Sequence, residues 1–110
     1  MPGLTRSEYL EALRGYLLDA DWLMSLDDAG DRCYAVLTMC RGLRGLEHGD
    51  YVSKREGARW ASTALPEYAP LIAAALAWRA AAPNARDDNA VPGPEVRRLV
   101  MPVQERIRSV

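Results

Sequence analysis

The sequence predicts an all-α fold, an antiparallel bundle of about five helices. Apolar residues recur at helical spacing almost throughout the 110 residues, and no alternating run is bounded by turn residues in the way that strands are. The chain is long enough to bury a core of its own, and its content of 49% hydrophobic and 26% charged residues is ordinary for one globular domain. Because the predicted loops are short, neighbouring helices should run antiparallel.

The first helix is predicted from about Thr5 to Ser25. Thr5 and Glu8 form a capping box, in which the hydroxyl and the carboxylate each accept a hydrogen bond from a free amide of the first turn. One face of this helix then carries the apolar residues Tyr9, Leu10, Leu13, Tyr16, Leu17 and Met24.

The second helix is predicted to be the central one. Asp27 or Asp28 can cap its amino terminus, and Gly49 marks its end. Residues 34–39 between these points are almost wholly apolar, so this helix should be buried on most sides.

The cysteines and the histidine limit the redox and metal chemistry. Cys33 and Cys40 lie seven apart on the second helix, roughly 10 Å along its axis and beyond disulfide reach, so they are predicted to be core thiols. His48 is the one histidine and there is no Cys-x-x-Cys motif, so no metal site is predicted.

The third and fourth helices meet at Pro66. Ser53 and Glu56 make a second capping box for the third helix, which should end before Pro66. Pro66 suits the first turn of the fourth helix, where no amide is needed. The fourth helix should bury Tyr68, Leu71, Ile72, Ala75 and Leu76.

The last part of the chain contains a predicted mobile loop and a fifth helix. Pro83 to Gly93 is rich in turn-forming residues, which is typical of such a loop. Pro102 lacks the amide that would bond the carbonyl of Arg98, so a kink is expected in the fifth helix. The apolar stripe of this helix is Val96, Leu99, Val100, Val103 and Ile107.

The chain is expected to be cytoplasmic and to bind no membrane. No apolar run approaches the roughly 20 residues that a membrane-spanning helix needs, and the first residues lack the order of a signal peptide.

Charge is divided unevenly along the chain, which bears on its partners. Residues 1–31 hold two basic and seven acidic side chains, whereas residues 32–110 hold twelve basic and eight acidic ones. A nucleic-acid-binding protein would usually show a denser basic stripe, so no nucleic acid is expected as a partner. The acidic end suits a cationic ligand.

The junction of the first two helices is the strongest candidate for a binding site. Carboxylates accept strong hydrogen bonds from ammonium or guanidinium groups, and an indole face can add a cation–π contact. Helix capping by Asp27 or Asp28 and a core position for Trp22 are the structural alternatives. The residues gathered here are Asp19, Asp21, Trp22, Asp27, Asp28 and Asp31.

A longer pattern covers residues 31–66. It comprises Ala-Val-Leu-Thr-Met-Cys-Arg, then His-Gly-Asp-Tyr-Val-Ser-Lys, then Ala-Arg-Trp-Ala and Leu-Pro. This pattern resembles the C-terminal helical domain of the aminoglycoside 3''(9)-adenylyltransferases, the streptomycin and spectinomycin resistance enzymes. The resemblance extends over Ser7 to Arg79, and loosely over Pro94 to Ser109. It implies that residues 1–110 form one substrate-binding domain of the nucleotidyltransferase type.

The resemblance also implies roles for particular residues. Trp22, Asp27 and Asp31 reproduce the spacing of a tryptophan and two aspartates that contact the aminoglycoside in that family. Lys54 would lie against the ATP phosphates at the start of the third helix, where the helix dipole also favours an anion. Arg41 would contact a phosphate or the neighbouring domain, or else pair with the acidic segment.

Catalysis would need a second domain. The family transfers AMP from ATP to a drug hydroxyl with two magnesium ions held on paired carboxylates, after a Gly-Ser turn that this chain lacks. Asp19 and Asp21 are two apart on a predicted helix, so they diverge by roughly 200° and cannot hold a metal pair. No catalytic residue is therefore predicted here. An N-terminal nucleotidyltransferase domain is expected to be absent from these 110 residues, which should be inactive alone.

Two other functions remain open at this point. Arg41 and His48 match the Arg-x(4–6)-His signature of HEPN ribonucleases, helical toxins whose composite site cleaves RNA at a dimer interface. The chain could also be a non-catalytic interaction module, for which Tyr34, Met39 or Trp60 should be exposed in one patch.

Overall fold

The chain folds into an all-α bundle in the computed structural model, which describes residues 5–19, 21–22 and 26–110. No strand occurs in these ranges. Within the described residues, the connections contain three short 3-10 helices, Pro66–Tyr68, Pro83–Ala85 and Asp88–Ala90. The same part of the chain contains five α-helices: α1 (Arg6–Asp19), α2 (Ala29–His48), α3 (Lys54–Ala64), α4 (Ala69–Ala80) and α5 (Gly93–Arg108).

Helix α2 is the centre of the bundle, as predicted, because it packs against all four other helices. Cys33 and Cys40 are both buried and unpaired on this helix, which confirms that they are core thiols. Burial raises the pKa of Cys40 to about 12 and that of Cys33 to about 11. The fully buried part of α2 includes Ala35, Val36, Leu37, Met39, Cys40 and Leu43.

The predicted caps form at the helix starts. Thr5 Oγ1 accepts from the Glu8 amide at 3.1 Å, and Ser53 Oγ accepts from the Glu56 amide at the same distance. At the other end of α2, Gly49 has a left-handed φ of 71°, and its amide bonds the carbonyl of Gly45.

A glycine brings α2 and α3 close together. A Cβ atom built on Gly57 would lie 2.6 Å from the Cα atom of Arg41, a distance that side chains do not tolerate. The absence of a side chain therefore sets the crossing of these helices and places the start of α3 beside the middle of α2.

The prediction for the end of the first helix is wrong. Helix α1 ends at Asp19, and Trp22 lies in a turn beyond it, whereas Ser25 falls outside the described residues. The carbonyl of Leu17 in the last turn accepts hydrogen bonds from the Trp22 indole at 3.1 Å and from Gln104 at 3.0 Å. These side chains satisfy a carbonyl that a longer helix would otherwise have bonded.

The fourth helix also begins later than predicted. Pro66 opens a 3-10 helix, and α4 starts at Ala69 with Pro70 in its first turn. A helix begun at Pro66 would need an amide from Pro70 to bond the Pro66 carbonyl, and proline has none. The start at Ala69 puts Pro70 where no amide is required.

The segment 83–93, predicted as a mobile loop, has more local structure than expected, and its mobility stays a prediction. It contains two of the 3-10 helices, and Val91 within it is fully buried. The polar composition did not reveal that a distant arginine, Arg32, would bond its carbonyls.

Helix α5 buries its predicted stripe, since Val96, Leu99, Val100, Val103 and Ile107 are at most 1% exposed. Pro102 lies on its exposed side, and the kink there stays a prediction. None of the helices in the described part of the chain is long and apolar enough to cross a membrane.

Candidate ligand-binding site

Three exposed aspartates lie at the start of α2, and one of them is the helix cap. Asp28 is the N-cap, and its Oδ1 accepts from the Gly30 amide at 3.0 Å. Asp27 and Asp31 are exposed on either side, and neither carboxylate has a hydrogen-bond or ion-pair partner within the described ranges. Capping therefore occupies Asp28 and leaves the carboxylates of Asp27 and Asp31 available to a ligand.

Trp22 is mostly buried rather than open to solvent. Its side chain is 7% exposed, and its indole nitrogen donates a hydrogen bond to the carbonyl of Leu17. The indole stacks on the Tyr34 ring, with centroids 6.0 Å apart, and meets the edge of Tyr16 at 5.1 Å. Trp22 thus supports other aromatic rings, and its role as a direct ligand contact stays a prediction.

Tyr34 and Tyr16 are the exposed aromatic residues at this junction, and sequence reasoning did not assign them to the site. They are 42% and 45% exposed, and their hydroxyl oxygens lie 3.1 Å apart. Tyr34 follows Asp31 by three residues, so the two share one face of α2. That spacing was the available signal for placing Tyr34 beside the acidic residues.

Lys54 lies on the other side of Tyr34. Its ammonium nitrogen is 4.6 Å from the centroid of the Tyr34 ring, a cation–π distance. Lys54 also lines a cavity of about 180 Å³ together with Gly30, Trp78 and Arg79. Tyr34 therefore lies between the acidic junction and a basic cavity.

The electrostatic surroundings of Lys54 are unfavourable to its charge. Partial burial lowers the pKa of Lys54, and repulsion from Arg79 and then Arg41 lowers it further. No carboxylate in the described residues lies within 4 Å of these three cations, and all fifteen acidic side chains belong to those residues. The site is thus suited to an anion.

Arg41 is held by a tyrosine rather than by the acidic segment. Its guanidinium carbon lies 5.7 Å from the centroid of the Tyr51 ring, and its Nη1 is 3.5 Å from the Tyr51 hydroxyl. The proposed ion pair with the acidic segment does not form among the described residues. A phosphate or interdomain contact for Arg41 stays a prediction.

Arg32 organises the junction through main-chain carbonyls, and its sequence context gave no sign of this. Its guanidinium donates to the carbonyls of Leu26 at 3.0 Å and Asp27 at 2.9 Å. It also donates to Asp88 at 3.0 Å and Val91 at 2.8 Å. The Arg32 side chain therefore connects the residues just before α2 with the segment just before α5.

Replacing Arg32 with glutamine should lower the free energy of unfolding by about 2–3 kcal/mol, because charge-assisted bonds are lost and partly buried carbonyls lose partners. Urea denaturation measures this. Arg97→Gln is the matched control, since Arg97 is exposed on α5, and it should change stability by less than about 0.5 kcal/mol. Equal effects of the two substitutions would contradict the proposed role of Arg32.

The far wall of the cavity is fixed by contacts of Trp78. Its indole nitrogen donates to Asp88 Oδ1 at 3.0 Å, and the Arg86 guanidinium lies 4.2 Å from the ring centroid. The ring also approaches α2 so closely that a Cβ on Gly30 would be 3.6 Å from it. Trp78 is therefore held in place before any ligand arrives.

The residues described by the structure contain no group of three or more His, Cys, Asp or Glu side chains that could hold a metal ion. The site consists instead of exposed carboxylates, exposed tyrosines and a basic cavity, which together define a helical domain equipped for charged ligands.

The chain belongs to the family described as aminoglycoside adenylyltransferase, C-terminal domain, whose family model matches residues 5–106. This confirms the family that the sequence pattern indicated. Comparison with curated proteins and with solved structures gave no match.

Proposed function

We propose that this chain is the substrate-binding domain of an aminoglycoside adenylyltransferase, which binds an aminoglycoside at Asp27 and Asp31 and ATP phosphates at Lys54. The observation that carries the proposal is the pair of exposed carboxylates beside a third that caps the helix. Family membership supports the general class, and the charges of the two surfaces support these particular ligands.

The acidic junction suits a polycationic sugar such as streptomycin. Each carboxylate can accept charge-assisted hydrogen bonds from guanidinium or ammonium groups, worth about 1.5–3 kcal/mol each. Tyr34 and Tyr16 add exposed rings beside them, on which a guanidinium can stack. Trp22 would contribute indirectly, because its indole stacks on the Tyr34 ring and holds that ring in place.

The positions of the two surfaces fit the transfer of AMP. Tyr34 shares a helix face with Asp31 and contacts Lys54, so a drug and a triphosphate would be neighbours. In the reaction, a drug hydroxyl attacks the α-phosphorus of ATP, the bond to the β-phosphate breaks, and pyrophosphate leaves. This chain would position both reactants, and Lys54 would neutralise part of the negative charge of the phosphates.

The remaining chemistry would come from a nucleotidyltransferase domain, in the same protein or in a partner. That domain would hold the magnesium ions and the base that removes the proton from the drug hydroxyl. We assign no catalytic residue to this chain.

The other functions have less support. Arg41 and His48, the HEPN signature, contact different aromatic rings, since Arg41 lies over Tyr51 and His48 meets the edge of Trp60 at 5.7 Å. Of the three residues expected in the apolar patch of an interaction module, Tyr34 is exposed, whereas Met39 is fully buried and Trp60 is partly buried.

Residues 1–110 alone should not transfer AMP from ATP to streptomycin or spectinomycin with magnesium present. Adding the isolated nucleotidyltransferase domain of a family member should produce drug-dependent release of pyrophosphate, and the rate should fall when Lys54 is replaced by glutamine. Pyrophosphate release gives the rate, and thin-layer separation of drug labelled from ATP that carries the radiolabel on its α-phosphate shows that AMP is transferred. Adenylylation by residues 1–110 alone, above a control without protein, would contradict this division of roles.

A further inference from the structure

The cavity beside Lys54 has a second cation at its rim. Arg79, in the last turn of α4, lines the same 180 Å³ cavity as Lys54, which belongs to the first turn of α3. Two separate helices therefore contribute an arginine and a lysine to one cavity. Neither group has a carboxylate partner among the described side chains, so neither has its charge neutralised by the protein.

Arg79 also borders a wider groove between α3 and α4. This groove has a volume of about 480 Å³, and it is lined by Leu76, Ala77 and Ala80 together with Arg79 and Arg55. Because Arg79 belongs to both openings, the cavity and the groove are adjacent. A ligand larger than one phosphate group can reach Lys54 and Arg79 together.

The fold keeps these like charges near each other although their repulsion is unfavourable. Lys54 is the only lysine among the fourteen basic residues, and it is partly buried against Tyr34. A bound anion would offset both its desolvation and the repulsion from Arg79. The repulsive arrangement is thus what a site for a multiply charged anion requires.

We propose that Arg79 is a second phosphate-binding residue that acts together with Lys54 on the polyphosphate chain of a nucleotide. The guanidinium presents two parallel donors to phosphate oxygens, and the Lys54 ammonium supplies a more compact charge on the facing helix. This assignment rests on the proposed function, because it places a second residue at the same nucleotide site.

The test is calorimetric titration of the full 110-residue chain with ATP and with inorganic tripolyphosphate. Arg79→Gln should weaken both by about fivefold, the upper range for an exposed ion pair, and Lys54→Gln by about tenfold or more. Arg79→Lys should recover part of the loss, because the charge returns without the two-donor geometry. Arg97→Gln, a change at an exposed arginine on α5, should leave binding unchanged.

A second readout separates ligand binding from a structural role of Arg79. With ¹³C-labelled lysine, Lys54 gives the one lysine signal, so its titration can be followed directly by NMR. Arg79→Gln should raise the pKa of Lys54 because a repulsive charge is removed, and tripolyphosphate should raise it in the unsubstituted chain. At one subsaturating concentration, tripolyphosphate should raise the pKa of Lys54 less in Arg79→Gln than in the unsubstituted chain, whereas an Arg79 with only a structural role would leave the two shifts equal.

The proposal is overturned if tripolyphosphate does not compete with ATP, or if Arg79→Gln binds both as tightly as the Arg97 control. Streptomycin titrated into the same variants keeps this outcome separate from the proposed function. If the unsubstituted chain does not bind the drug, the aminoglycoside site is refuted and the role of Arg79 stands. If the chain binds the drug but Arg79→Gln does not weaken polyphosphate binding, the role of Arg79 is refuted and the aminoglycoside site stands.

Discussion

Replacing Leu37 with alanine is expected to lower the free energy of unfolding by about 2–5 kcal/mol. Leu37 is 1% exposed and lies on α2, the helix that contacts all the others. Truncation removes buried methyl groups, and the surrounding helices cannot collapse fully into the space because they are fixed by one another. Since Leu37 also lines the cavity beside Lys54, the substitution should weaken polyphosphate binding as well.

Urea or thermal denaturation followed by circular dichroism measures the effect of Leu37→Ala. Met101→Ala is the matched control, because Met101 is 55% exposed on α5 and should lose less than about 0.5 kcal/mol. Leu37→Met, which nearly conserves volume, should cost less than about 1.5 kcal/mol. A loss below about 1 kcal/mol for Leu37→Ala would show that α2 is less enclosed than the structure indicates.

Local signals in the sequence were sufficient where the interaction is itself local. The capping pairs of Thr5 with Glu8 and of Ser53 with Glu56 are three residues apart, and both form. The same is true of Gly49, whose left-handed conformation needs only the residue type. Such features depend on spacing along one chain segment, which a sequence displays directly.

The errors came from interactions between distant segments. Helix α1 ends early because Trp22 and Gln104 bond the Leu17 carbonyl, and Gln104 is 87 residues away from it. The segment 83–93 has more local structure than expected because Arg32 reaches its carbonyls. Trp22 lies only five residues beyond Leu17, but nothing near Leu17 or Arg32 in sequence indicates the bonds to Gln104 or to the segment 83–93. The start of α4 is different, since Pro70 was a local signal that sequence reasoning did not use.

The residues of the candidate site also divide into those that the sequence indicates and those that only the packing of distant segments brings together. Asp27, Asp31 and Lys54 could be singled out from charge, helix position and the family pattern, and their roles as ligand contacts remain predictions. Arg79 could not, because its closeness to Lys54 arises from the packing of α3 and α4. The placement of Tyr34 between the acidic and basic surfaces likewise requires the crossing of α2 and α3.

Asp31→Asn should weaken streptomycin binding to this chain by about tenfold, the loss of roughly 1.4 kcal/mol from one charge-assisted contact. Asp27→Asn should have a similar effect, because this carboxylate is also exposed and is not the helix cap. Neither change should unfold the protein, since the capping bond belongs to Asp28. Affinity of the unsubstituted chain is expected to be about millimolar, as part of the site lies elsewhere in the proposed enzyme.

The control for Asp31→Asn is Asp19→Asn, which removes an exposed carboxylate at the end of α1 and should change binding little. Binding should also fall as salt rises, because exposed charge pairs are screened over about 8 Å at physiological ionic strength. Amide shifts in an NMR titration report both effects, and they should cluster at the start of α2. Shifts that cluster on α5 instead, or that persist unchanged in the Asp31 variant, would show that the acidic junction is only a capped helix start.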